Sequence, residues 1–284
     1  MLIKKHKNKN DYIVTNGIYV RDFAKSSVLP VDINTNLNKT DHDLIVDNVL
    51  ENFSQKYQNI DNEDFYFPNI VIVSDGFGFK DKQAILARLP KSVTIIAVNG
   101  ALKEWRLVGN SAIAKRVIDF YVVNNPYAEC MSYLPDKHRY YPRCIASFKT
   151  NPTFMKEYQG PKYVYAPTNS ETYSSIDFNT NYKIDDYRNP VCAALGLAYR
   201  FNVKKILLFC CDCAFDYEKS AATKLENGLW QYPQHELSQK IIDSNLYWLK
   251  NKKIEVADYS SGIKYDNATY ITNEVDILEY FENE

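Results

Sequence analysis

The stretch "KKILLFCCDCAFDY", residues 204–217, decides how the rest of the chain is read. It places three cysteines and two aspartates within seven positions. It is either a metal or redox centre, or a buried strand that delivers one useful side chain at its end. A zinc centre needs four converging ligands. In an extended strand, alternation sends Cys210 and Asp212 to one face and Cys211 and Cys213 to the other. The remaining cysteines, at 130, 144 and 192, supply no second CxxC pair of zinc-ribbon type. An un-ionised cysteine packs as a small hydrophobe. Residues 206–211, "ILLFCC", therefore read as a central strand with no metal site, and Asp212 is the residue of interest at its carboxyl end. There a carboxylate can bond a ligand hydroxyl or amine, or it can cap the following turn.

Working outward from that strand, short apolar runs alternate with helical patterns. The strand candidates are 69–74, 93–98, 118–123, 144–148, 162–167 and 253–260. Helical patterns occupy 80–89, 189–201 and 233–250. Continuous apolar strands separated by helices predict a Rossmann-like α/β fold, with a mostly parallel sheet covered by helices on both faces. In such sheets ligands bind beyond the carboxyl ends of the strands. The residues at those ends are Asp75-Gly76-Phe77-Gly78, Asn99-Gly100, Asn124-Asn125-Pro126 and Asp212-Cys213. Each is also ordinary turn chemistry; four in register point to one site.

Gly76 and Gly78 would let backbone N–H groups approach a phosphate or ribose closely. They match neither the dinucleotide glycine fingerprint nor a Walker loop. Asn189 and Pro190 form a well-made helix start, which either receives an anion or simply caps a core helix. His235 opens the helix 233–250. The positive end of a helix disfavours imidazolium, so a neutral ring there suits a general base, or it is a solvated first-turn histidine.

Composition narrows the classes. The 284 residues are 45% hydrophobic, with a formal net charge of −1. That leaves no basic excess for nucleic acid, and no apolar run is long enough to span a membrane. The expected location is cytoplasmic. Residues 1–65 read as an N-terminal extension and 66–284 as one Rossmann-like domain. The extension carries a possible hairpin at Asn16-Gly17. It also carries an amphipathic helix over 41–58 with Val46, Val49, Leu50, Phe53 and Tyr57 on one stripe.

These motifs, in this order, resemble the small bacterial sialyltransferases and the related family that includes the archaeal hydroxymethylpterin diphosphokinase. The resemblance covers about residues 68–262. Asp75-Gly76-Phe77-Gly78 stands where the sialyltransferases have Asn-Gly-Pro-Ser, and Asn99 and Asn125-Pro126 match their second and third strand ends. Asn189-Pro190 stands where they have Ser-Gly, Asp212 ends the strand that closes in Gly-Ile-Asp, and His235 takes the place of their base. The resemblance implies transfer from a nucleotide-activated donor, itself a substrate and not a cofactor, to a hydroxyl acceptor. Asp75, Gly76, Gly78, Asn99, Asn125 and Asn189 would meet the nucleotide, with Tyr217 a candidate for its phosphate. Asp212 and His235 would be catalytic. The alternatives are a Mg-dependent diphosphokinase, whose third strand would end in an acidic turn, and an inactive domain that binds a nucleotide or a partner.

Overall fold

The computed structural model describes residues 12–15, 18–21, 39–55, 57–60, 63–105, 117–134, 141–167, 183–187, 189–214 and 222–282. Strands β1 (Tyr12–Thr15) and β2 (Ile18–Arg21) pair antiparallel, while the expected turn at Asn16-Gly17 lies outside the described residues. Next come α1 (Lys39–Ser54), β3 (Gln58–Asn59), β4 (Asn69–Val73), α2 (Phe79–Lys82), β5 (Val93–Val98) and α3 (Ala101–Glu104). They lead to β6 (Phe120–Val123), β7 (Arg143–Ser147), α4 (Pro152–Glu157), β8 (Lys162–Pro167), β9 (Lys183–Ile184), α5 (Pro190–Arg200) and β10 (Lys205–Phe209). The chain closes with β11 (Thr223–Lys224), β12 (Trp230–Gln231), α6 (Pro233–Asn251), β13 (Glu255–Tyr259), β14 (Thr269–Tyr270) and α7 (Glu274–Glu282).

Nine strands lie in the order β14-β13-β10-β4-β5-β6-β7-β8-β3, with β9 also pairing β8. Every pair is parallel. The sheet is buried on both sides. One layer gathers Ile45, Val49, Phe79, Phe154 and Ile277 from α1, α2, α4 and α7. The other gathers Cys192, Leu195, Ile242 and Leu246 from α5 and α6. Two-sided burial explains why β4 and β5 are buried along their whole length and mostly apolar, without alternation.

The order also locates a crevice. From β4 the chain steps outward through β5, β6, β7 and β8, then returns by way of α5 to β10 on the other side of β4. The carboxyl ends of β4 and β10 are therefore the topological switch point, where parallel sheets of this kind open a cleft.

Three sequence expectations shift. The strand 204–211 ends at Phe209, because Cys210 turns to a positive φ of 54° and its carbonyl accepts from the Gly76 N–H at 3.1 Å. Cys210 and Cys211 still part into opposite layers. The helix expected over 80–89 is one α turn, α2, followed by a 3₁₀ stretch at Gln83–Arg88. In α1 the inward face is Ile45, Asn48, Val49 and Asn52, while Leu50 is exposed. The Asn48 amide donates to the carbonyls of Pro126 (2.8 Å) and Lys149 (3.1 Å). The Asn52 amide donates to those of Phe148 (2.8 Å) and Thr150 (2.6 Å). Those loop carbonyls arrive at α1 as acceptors, so polar residues win part of the buried face.

Candidate functional site

Because β10, β4, β5 and β6 run parallel in register, the turns after them share one edge of the sheet. The turn after β4 and the turn after β10 touch. Beyond the Gly76–Cys210 bond, a Cβ at Gly76 would overlap both the Cys210 carbonyl and Asp212 Oδ2. A Cβ at Gly100, after β5, would overlap Asp75 Oδ2. Glycine is thus required twice, for close approach. Asn99 and Gly78 turn at positive φ, 49° and 78°, as Cys210 and Cys213 do after β10.

The two aspartates differ in access. Asp75 is exposed at the mouth, where Ser74 Oγ lies 3.4 Å from its Oδ1. Desolvation by the surrounding protein still raises its pKa. Asp212 is closed over, with only 1% of its surface exposed. Its Oδ1 accepts from the Gly262 N–H, and its Oδ2 faces Gly76 without a hydrogen-bond partner. Burial, opposed by that backbone bond and by the Lys82 charge, lifts its pKa to about 6. Its geometry therefore suits holding two turns in place better than touching a ligand.

Beneath it lies a residue that sequence reading missed. Asp258, in β13, is equally buried. Its Oδ1 accepts from Ser260 Oγ at 2.6 Å, and that hydroxyl in turn accepts from the Cys211 N–H at 3.1 Å. Burial, reinforced by the Asp212 charge, raises the Asp258 pKa to about 7. Its strand, "VADYSSG", ends in Ser and Gly turn residues, but Asp258 lies within the strand and nothing local marks it. Lys82, from α2, reaches Ser261 Oγ and lies 4.5 Å from the centre of the Tyr259 ring.

The remaining expected residues are spread around this edge. Asn125 Oδ1 is spent on the Tyr127 N–H at 2.8 Å, whereas its neighbour Asn124 is buried with a partnerless amide nitrogen. Asn189 caps α5, its Oδ1 accepting from Val191 (2.8 Å) and Cys192 (3.4 Å). Its side-chain oxygen is committed to the helix. His235 sits half-buried in the first turn of α6, edge-on to Tyr232 with ring centres 5.6 Å apart. The start of α6 is tied to the β10 turn by Gln231, whose amide donates to the Cys213 carbonyl at 3.3 Å. Tyr217 lies outside the described residues.

All six cysteines are unbridged. Burial pushes the Cys130 thiol up to about 12 and Cys213 to about 11, and it raises Cys144, Cys192, Cys210 and Cys211 as well. These thiols are poor nucleophiles at neutral pH. Among the described residues no group of three or more His, Cys, Asp or Glu side chains is arranged to hold a metal ion. None of the described helices is long and apolar enough to cross a membrane.

No family model and no curated protein sequence matches the chain. Among solved structures it is similar to the MAf glycosyltransferase from Magnetospirillum magneticum AMB-1, with a TM-score of 0.63 at 14% identity. The superposition covers 81% of this chain and 38% of that one, so this chain spans well under half the length of its structural neighbour. At that identity the likeness is one of fold alone, and that fold accounts for most of this chain.

Proposed function

We propose that the protein transfers a sugar from a nucleotide-activated donor to a hydroxyl acceptor, in the manner of the sialyltransferases its motifs resemble. The observation that carries this reading is the meeting of the Asp75-Gly76 turn with the Asp212 turn at the switch point of a parallel sheet. The glycosyltransferase-like fold of its structural neighbour supports it. In this reading Gly76, Gly78 and Asn99 line the nucleotide, and Asp75 is the carboxylate within reach of it. Asp212 positions the Gly76 and Gly262 turns from below. Asn125 and Asn189 hold their turns through side chains already committed. His235 accepts the proton of the acceptor hydroxyl as its oxygen bonds to the sugar's anomeric carbon. The bond from that carbon to the donor phosphate breaks, and the nucleotide leaves with the electron pair. No resident cofactor takes part; the donor is a substrate.

The test begins with a thermal-shift panel of nucleotides and nucleotide sugars, with and without Mg²⁺, followed by transfer assays on the ligand that binds. His235→Ala should keep nucleotide affinity and lose about 10²- to 10⁴-fold in turnover, the usual contribution of a general base. Full activity in that variant would remove the histidine from the mechanism. Stabilisation by ATP only with Mg²⁺ would replace glycosyl transfer with diphosphate transfer.

A further inference from the structure

A phosphorylated ligand at this crevice needs a cation, and none of the residues assigned so far is one. Lys82 fills the gap. It leaves α2 beside Gly78, half-buried, and its ammonium meets the Ser261 hydroxyl and the face of Tyr259. Both partners are neutral. Among the described residues Lys82 forms no salt bridge. The carboxylates whose charge it feels, Asp212 and Asp258, are buried behind the Gly76 and Gly262 turns. A lysine anchored by a hydroxyl and a ring, with no salt bridge among the described residues, at a ligand-binding edge is arranged to receive an anion.

We propose that Lys82, with the Ser261 hydroxyl, binds a phosphate group of the ligand; resting on the transferase reading, that group is the phosphate of the nucleotide donor. The site has a built-in dependence on pH. The groups facing Lys82 and the two carboxylates are Cys210, Cys211, Cys213, Tyr259, Tyr265 and Tyr270, all neutral through this range because burial raises each of them. The carboxylates alone titrate there, at about 6 and about 7. Above both values they offset the lysine charge. Below both they are neutral and leave the lysine unopposed, so anion affinity rises as pH falls.

Trimetaphosphate is a suitable probe because its charge is fixed across this range. Calorimetric titration of the full chain should show binding that tightens from about pH 8 to about pH 5.5 and weakens with salt. Lys82→Met keeps the apolar stem over Tyr259, and it should bind about tenfold more weakly or worse, with its melting temperature little changed. Lys82→Arg should retain binding. Wild-type protein that ignores trimetaphosphate, or binds it equally at both pH values, would overturn the proposal; so would Lys82→Met binding as tightly as wild type. The same titrations with the nucleotide panel separate the two claims. Nucleotides bound equally by wild type and Lys82→Met overturn the role of Lys82 and leave the transferase reading standing. Trimetaphosphate bound through Lys82, with no nucleotide or nucleotide sugar bound, supports the anion site and overturns the transferase reading.

Discussion

At the residue scale, Gly76 shows how little room the switch point leaves. A methyl group there would overlap the Cys210 carbonyl and Asp212 Oδ2. Gly76→Ala should therefore cost about 1–3 kcal/mol in urea denaturation, as overpacking does, and should open the contact between the two turns. A variant as stable as wild type would mean the turns are not packed together. Asp212 and Asp258 make a second prediction, in pH. Both pKa values are raised in the folded state, to about 6 and about 7, above an unfolded value near 3.9. Between those values the folded state holds the protons more tightly. Their contribution to stability is fully present below the unfolded pKa and is lost as pH rises through the folded values. Melting temperature should fall between about pH 4 and pH 7, and the fall should be smaller in Asp258→Asn. An unchanged slope in that variant would show that Asp258 titrates normally. The placement of Asp75, Gly76 and Asp212 at one edge was legible because an apolar run that gives way to Asp is a visible pattern. Asp258 was not, because it lies inside the strand, and only the pairing of β13 with β10 brings it under the site. Lys82 was not legible either, since its partners Ser261 and Tyr259 are far away in sequence.

At the element scale, α1 locks the extension onto the sheet edge through hydrogen bonds as much as through apolar contact. Asn48 and Asn52, one turn apart, hold four carbonyls beyond β6 and β7. Asn52→Ala should remove two buried hydrogen bonds and cost about 1–3 kcal/mol, read by chemical denaturation; Leu50→Ala, at an exposed position, should cost far less. The reverse order would contradict the inward face described for α1. The apolar stripe placed Val49, Phe53 and Tyr57 against the core but put exposed Leu50 there and missed Asn48 and Asn52, since periodicity weighs hydrophobic side chains and cannot see carbonyls arriving from distant residues. The strands β5 and β8 and the helices α5 and α6 were legible to within a residue or so. Their ends are marked by residues whose physics is local, such as the Asn189-Pro190 cap of α5. The end of β10 was not, because the turn at Cys210 is imposed by the Gly76 contact from a distant strand.

At the scale of the whole molecule, a chain of alternating apolar strands and helices becomes a wholly parallel main sheet whose strand order reverses at β4 and β10. Strand alternation announced the class of fold, but not the order, which depends on which face each crossover takes. That order turns separate turns at Asp75, Asn99 and Asp212 into neighbours and gives Lys82 a crevice to border. The central claim is that this edge binds a nucleotide. Hydrogen–deuterium exchange of the full chain, with and without the tightest-binding member of the nucleotide and nucleotide-sugar panel, tests it most directly. The account predicts slowed exchange at residues 74–78, 99–100 and 260–262, with the far edge at β3 unchanged. Binding that leaves those turns unprotected, or a panel from which nothing binds, would contradict it.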